Sequence, residues 1–386
     1  MEQRPHILHV INGLARGGAE TALLRLVQDT VGSARHTIVS LTGLDRMREE
    51  FERVEGVQVI LLHGRRGIPD PRLSWRCAAV IRSLRPDVLH AWLPLSWMVA
   101  FLARILVWGV RIPMVWSARS TIQGAPRRPS EAIALRLCRA TSGWCDALIA
   151  NSHLALRQLR EFGYGPRSSH VIHNGVDVRD ASELRSLRSR MRAELGIPDS
   201  GFVLLFLGRV HPDKGASILI ETIEHVREQA PGSIFWRVGR DAAERDRNPD
   251  TVRLQTCPFM HHFGEVADPT PHLAAADALI VTSERESCPN AVLEAMSAGL
   301  PVVSTDVGDV RLILGEAGRV GGRSPRELAQ HVVEIARGGP DMRLTMGAIG
   351  RERIGRHHAR SGVAARYLEI YRAVVDGRDD AGRRSA

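Results

Sequence analysis

Four charged residues at suggestive spacings carry the chemistry open to this sequence: Arg209, Lys214, Glu286 and Glu294. Arg209 and Lys214 lie in Gly208-Arg-Val-His-Pro-Asp-Lys-Gly215, directly after the apolar run Phe202–Leu207. Such a run reads as a buried parallel strand, and two cations at its carboxyl end can neutralise a diphosphate without a metal. The chain holds 52 lysines and arginines together, of which Lys214 is the single lysine. A lone ammonium among guanidiniums points to a site that wants a compact charge rather than a planar fork. Glu286 and Glu294 flank a second strand-to-helix turn, with Ala278–Val281 as the strand and a helix starting near Asn290, its expected N-cap. The free N–H groups and partial positive charge of that helix start suit phosphate oxygens, and the carboxylates suit sugar hydroxyls.

These residues need a scaffold that places strand ends side by side. The chain alternates strand-like and helix-like segments from His6–Asn12 onward, the pattern of doubly wound α/β sheets. Its 386 residues suggest two α/β domains. The boundaries are expected at 1–180 and 181–360, with 361–386 a final amphipathic helix and a charged tail, disordered from Gly377 on. A Gly-rich turn, Gly13 to Glu20, follows the first strand. Its glycines at 13, 17 and 18 match neither a dinucleotide fingerprint nor a Walker loop. Backbone approaching a ligand at Gly17-Gly18 and a plain tight turn both fit that spacing. His90, Arg119 and Asn174 each sit at or just past the end of a strand-like run, as candidate contacts to a sugar or its acceptor.

Composition narrows the class. The net charge is +9 with a pI near 10.2, so phosphorylated ligands or an anionic membrane are natural partners. Aromatic residues make up 5%, and no zinc-finger spacing or aromatic RNA-binding motif is present, so nucleic acid is not expected. Five scattered cysteines, never Cys-x-x-Cys, read as free thiols in a reducing cytoplasm. The most apolar stretch, Leu95 to Val110, contains Arg104 and is short for a membrane span. With Trp92, Trp97, Phe101 and Trp108 near it, that stretch is either ordinary core or a contact with anionic lipid at the inner membrane face.

Glu286-x7-Glu294 followed by Ala-Met-x-x-Gly-x-Pro-Val-Val, together with Gly208-Arg-x-x-x-x-Lys-Gly215, resembles the donor-site signatures of the family-4 retaining glycosyltransferases. The resemblance runs from Gly17-Gly18-Ala-Glu20 to the last helix. It implies the GT-B fold, two Rossmann-like doubly wound domains facing a cleft, the first for the acceptor and the second for the nucleotide sugar. It implies catalytic roles for Arg209, Lys214 and Glu286. Donor contacts would come from Gly17, Gly18, Arg209, Lys214, Glu286, Ser287, Pro289, Asn290, Ala291 and Glu294. The expected activity moves a hexose or N-acetylhexosamine to a lipid-linked or polysaccharide acceptor, as in cell-envelope polysaccharide synthesis. Configuration would be retained and neither metal nor cofactor used. Two rival readings on the same architecture are a nucleotide-sugar epimerase or phosphorylase and a non-catalytic partner subunit. The sequence departs from the family at Ser287-Cys288, where Gly-Phe is usual, and at Gly239-Arg240-Asp241, where Gly-x-Gly is. It departs again at Trp116-Ser-Ala-Arg119, where many members carry a histidine.

Overall fold

The computed structural model describes residues 4–43, 45–64, 70–109, 111–121 and 129–383. The chain separates into two compact units, Met1–Gly175 with Arg360–Ala386, and Val176–Ala359. In the first, seven parallel strands form one sheet: β1 (His6–Ile11), β2 (Arg35–Thr42), β3 (Gln58–Gly64), β4 (Val88–Trp92), β5 (Met114–Ala118), β6 (Ala147–Ala150) and β7 (Ser169–Val171). Their order across the sheet is β3-β2-β1-β4-β5-β6-β7. In the second unit, β8 (Val203–Leu207), β9 (Ile234–Val238), β10 (Met260–Gly264), β11 (Ala278–Val281), β12 (Val302–Thr305) and β13 (Gly318–Gly321) order as β10-β9-β8-β11-β12-β13. The strands flanking the centre of each sheet are mostly apolar and almost wholly buried, because helices cover both faces. In both units the chain order reverses beside the first strand, between β1 and β4 and between β8 and β11. Open sheets of this kind bind ligands at the carboxyl ends of the strands that flank such a reversal.

Several local expectations change. The helix after β11 runs Asn290–Ser297 with Pro289 at the cap position, so Asn290 is its first helical residue and no side-chain oxygen caps it. His262-Phe263-Gly264 forms the end of β10, paired in parallel with β9. The last helix extends over Arg360–Arg383, so the charged residues from Gly377 to Arg383 are helical, and 384–386 lie outside the described residues. Val363, Tyr367, Ile370 and Tyr371 of that helix join Ile7, Ile11 and Trp92 in one core cluster of the first unit.

That cluster borders an unusual set of buried polar groups. His9, His36 and His90 are at most 1% exposed. His9 Nε2 lies 3.0 Å from His36 Nδ1, His36 Nε2 lies 2.9 Å from Thr30 Oγ1, and the Trp92 indole N–H donates to His9 Nδ1 at 3.2 Å. His90 bonds Tyr371 OH at 2.7 Å and Ser117 Oγ at 2.8 Å. Burial holds His9 and His90 well below the ordinary imidazole range and pushes His36 down to about 4. The candidate role of His90 as a sugar or acceptor contact is thereby corrected. Its backbone is paired to His9 and Val115 on the neighbouring strands, and both ring nitrogens are spent inside the core.

The apolar helix Pro94–Leu106 is part core and part surface. Trp97 is buried and stacks on Trp116 with centroids 5.2 Å apart, and Trp92 is fully buried. Leu102 and Ile105 face outward at 41% and 48% exposure, and Trp108 just beyond is 92% exposed. No helix among the described residues is long and apolar enough to cross a membrane, and Val110 lies outside them.

Candidate active site

At the reversal point of the second sheet, two loops meet. The loop after β8 carries Gly208, an exposed Arg209 and a single helical turn, Pro212–Lys214, started by His211, whose Nδ1 accepts from Asp213 N at 3.1 Å. The loop after β11 carries Thr282 to Pro289. The two are stitched together by backbone and hydroxyl groups. Thr282 Oγ1 donates to the Lys214 carbonyl at 2.8 Å, and Glu284 N donates to the Asp213 carbonyl at 2.8 Å. Gly215 sits in the left-handed region at φ +63°, and a Cβ there would fall 2.1 Å from the Thr282 carbonyl oxygen. Only glycine allows that approach.

The consequence is a contact across 72 residues of sequence: Lys214 Nζ lies 2.5 Å from Glu286 Oε1. Ser283 Oγ donates to the same Oε1 at 2.9 Å. Both bonds fall on Oε1, so the other carboxylate oxygen is not used by either. The side chains are 25% and 16% exposed, a half-buried setting in which a fixed ion pair is worth more than on the surface. The Glu286 loop is held from its far side as well. Thr305 Oγ1 donates to the Ser283 carbonyl at 2.7 Å, and Asp309 N to the Ser287 carbonyl at 3.2 Å. Gly308, at φ +56°, lets that strand end pass so close that a Cβ would stand 2.3 Å from the Ser287 oxygen.

The remaining candidates fall into two groups. Ser287 and Pro289 are buried in the turn, while Asn290 and Ala291 open the helix and Glu294, half-buried, follows one turn later. All five therefore share the Glu286 loop and its helix. The loop after β8 is in turn tied to the Gly239-Arg240 turn: Gly208 N donates to the Val238 carbonyl at 2.8 Å and Val210 N to the Arg240 carbonyl at 2.9 Å. Gly17, Gly18, Arg119 and Asn174 lie in the first unit. Gly17 precedes the helix Gly18–Thr30 in an extended conformation, and a Cβ there would meet the Glu20 carboxylate at 2.7 Å. Arg119 donates to Asn174 Oδ1 and to Tyr367 OH, the latter at 3.1 Å, and its guanidinium carbon lies 5.5 Å from the centre of the Trp92 ring. The two residues are brought together, beside a cavity of about 20 Å³. That is room for one water, not for a sugar ring. Sequence reasoning did not single out Ser283, Thr305 or Tyr367, whose hydroxyls have no local signature of their role.

The family model described as Glycosyltransferase Family 4 matches residues 16–180, and the model described as Glycosyl transferases group 1 matches residues 201–337. The chain belongs to the family-4 glycosyltransferases. A D-inositol 3-phosphate glycosyltransferase of Catenulispora acidiphila is 30% identical over 247 residues, 60% of this chain and 58% of that protein. A glycogen synthase of Mycobacterium tuberculosis is 30% identical over 264 residues, 64% of this chain and 59% of that one. The chain thus spans less than two thirds of the length of these two relatives. Among solved structures, Anabaena HepE in complex with UDP and glucose superposes with a TM-score of 0.78 at 20% identity, covering 95% of this chain and 99% of that one. Sucrose-phosphate synthase from Thermosynechococcus elongatus gives 0.76 at 18% identity, covering 97% and 100%. At these identities the likeness shows the fold, and the two Rossmann-like units are those of the GT-B glycosyltransferases.

Proposed function

We propose that this family-4 protein transfers a hexose or N-acetylhexosamine from a nucleotide sugar to a lipid-linked or polysaccharide acceptor, retaining anomeric configuration and using no metal. One observation carries this: a fixed ammonium and a fixed carboxylate, Lys214 and Glu286, held 2.5 Å apart at the reversal point of the second sheet. A nucleotide sugar offers matching groups in the same order, a diphosphate beside a ring bearing hydroxyls. Lys214 and Arg209 would take the diphosphate oxygens, with help from the N–H groups at Asn290 and Ala291. The unused oxygen of Glu286 would accept a sugar hydroxyl, and Glu294 would accept from the ribose. As the sugar–phosphate bond breaks, negative charge grows on the leaving diphosphate. Cations already in place stabilise that charge more in the transition state than in the ground state. UDP in the HepE complexes is consistent with a donor of this class.

Calorimetric titration with UDP-, GDP- and ADP-sugars in the presence of EDTA tests the donor reading on wild type and Lys214→Ala. Tight binding of one nucleotide sugar is expected with EDTA present, and its loss in the variant. Turnover should fall on the order of 10²–10³-fold in that variant. Binding that needs a divalent ion, or that survives in Lys214→Ala, would overturn the metal-free clamp.

For the acceptor we propose a substrate presented at an anionic bilayer. In the first unit, Leu102, Ile105 and Trp108 are exposed near Ile133, Leu137 and Trp144, which are also 48–61% exposed. The Trp144 ring sits 6.2 Å from Phe101, and Arg111, Arg136 and Arg139 are exposed among them. Apolar and aromatic groups mixed with arginines suit the interface of an anionic membrane.

A further inference from the structure

The second sheet has another opening, at the edge opposite Lys214 and Glu286. Asp277 and Pro301 stand just before β11 and β12, so the residues around them mark the amino ends of those strands. A cavity of about 310 Å³ lies there, between the helix Ala181–Glu194 and the helix Gly339–Arg353. That volume is at the lower end of the range for small-molecule sites. Its charged lining is Arg185, Arg188, Arg343 and Arg351 against Asp199 and Asp277, a surplus of two positive charges.

The arginines differ in how far they are committed. Arg188 is engaged: it donates to the Ala276 carbonyl at 2.7 Å and to Asp277 Oδ1 at 2.8 Å. Arg192, just behind, donates to Asp277 Oδ2 at 3.1 Å. Arg343 is engaged as well: its Nε pairs with Asp277 Oδ1 at 3.7 Å and its Nη1 donates to the Ile335 and Ala336 carbonyls at 3.4 Å. Burial, with Arg188 and Arg192 nearby, holds the Arg343 guanidinium below its ordinary range, against the pull of Asp277. The Arg351 guanidinium makes no hydrogen bond or ion pair among the described residues and rests against Gly299 instead. Arg185 is exposed on the rim. Apolar wall comes from Leu184, Leu300 and Leu344, the last 68% exposed at the mouth.

We infer that this cavity is a second binding site, for a soluble phosphate monoester with a small carbon skeleton. A monoester carries close to two negative charges at neutral pH, the size of the surplus. Arg351 and, from the rim, Arg185 offer planar forks to its oxygens, which is the geometry arginine supplies and lysine does not. The carbon skeleton would lie on Leu184 and Leu344. The site is separate from the Lys214–Glu286 pair, at the far ends of the same strands, so a ligand there acts on the donor unit without occupying its catalytic edge.

Glucose 6-phosphate and inorganic phosphate serve as probes, titrated calorimetrically into wild type, Lys214→Ala and Arg185→Gln/Arg351→Gln. Stoichiometric binding of glucose 6-phosphate is expected, weakened about tenfold or more in the double variant and unchanged in Lys214→Ala. Inorganic phosphate binding more weakly at the same site would show that the skeleton contributes. Hydrogen exchange on the wild type needs no variant: protection on adding glucose 6-phosphate should fall on residues 181–188 and 340–351. No heat and no protection with either probe at millimolar concentration overturns the inference. So does protection confined to 208–215 and 283–294, or affinity that the double variant leaves intact.

Discussion

The two units solve the same problem, polar groups beneath a parallel sheet, in opposite ways. The first buries neutral imidazoles: His9, His36 and His90 satisfy one another and Thr30, Ser117, Trp92 and Tyr371. The second buries ions: Asp277 is 4% exposed and is held by Arg188 and Arg192, while also accepting from Val203 N at 2.9 Å. A neutral network costs little desolvation but fails when a proton arrives. An ionic one tolerates modest changes of pH but collapses when one partner is removed. The half-buried pair at the active site, Lys214 with Glu286, belongs to the second kind. The unit assigned to the diphosphate is thus also the unit whose interior is organised by fixed charge.

The largest effect expected from breaking this contrast is Asp277→Ala. It removes the carboxylate shared by Arg188, Arg192 and Arg343, the second of them 3% exposed, and the acceptor for Val203 N. Loss of one partner of a buried ion pair costs about 3–5 kcal/mol. In urea unfolding followed on both units, the second should lose its stability by that amount while the first keeps its own transition. A loss below about 1 kcal/mol would mean that the network behaves as a surface pair and that the contrast is false.

Acid attacks the other side. His9, His36 and His90 have folded-state values lowered from 6.5, with His36 at about 4. A lowered value means that the unfolded chain binds protons more readily than the folded one. The stability these groups contribute is therefore full above about pH 6.5 and is lost as pH falls from there towards 4. His36 alone should account for about 3 kcal/mol across that window. Thermal unfolding at a series of pH values checks it: the first unit should soften below pH 6.5, and His36→Gln should flatten the dependence. A first unit equally stable at pH 7 and pH 5 would refute the neutral-imidazole description.

A smaller and more local break is Gly308→Ala. The residue has φ +56° and its missing Cβ would sit 2.3 Å from the Ser287 oxygen. Strain of about 2 kcal/mol is expected. Because Gly308 braces the turn that carries Glu286, the displaced turn should weaken donor binding beyond the stability loss. Unchanged nucleotide-sugar affinity in a destabilised Gly308→Ala would show that the brace and the Glu286 position are independent.

The contrast also marks what was legible in the sequence. Alternating apolar strands and amphipathic helices announce both sheets, and the lone lysine with two spaced glutamates marks the charged edge. The Lys214–Glu286 contact has no such trace, since tertiary packing of two glycines, Gly215 and Gly308, creates it. His90 misleads for a related reason. A histidine near a strand's carboxyl end resembles a catalytic group, but parallel register with β1 and β5 places it in the core, where Tyr371 from the last helix completes its bonding. β13 escapes notice because Gly318–Gly321 is four residues long with two glycines, too weak a pattern to stand without its neighbour β12. Within the arginine-rich run 179–192, only the fold shows Arg188 and Arg192 converging on Asp277.

The smallest stability effect belongs to the surface patch, and that makes it the cleanest test of the membrane reading. Trp108 is 92% exposed, so Trp108→Ser should change folding stability by no more than about 0.5 kcal/mol. Its contribution to a bilayer would be the full transfer of an indole to the interface, supported by Arg111, Arg136 and Arg139 facing anionic headgroups. Co-sedimentation with vesicles rich in phosphatidylglycerol should therefore be strong at low salt, weaker at high salt, and reduced in Trp108→Ser at unchanged stability. Wild type remaining in the supernatant at low salt would leave the patch without a membrane and the acceptor without a bilayer. Equal binding by wild type and variant would instead assign the attraction to the +9 charge of the whole chain, because non-specific cationic adsorption does not depend on one indole.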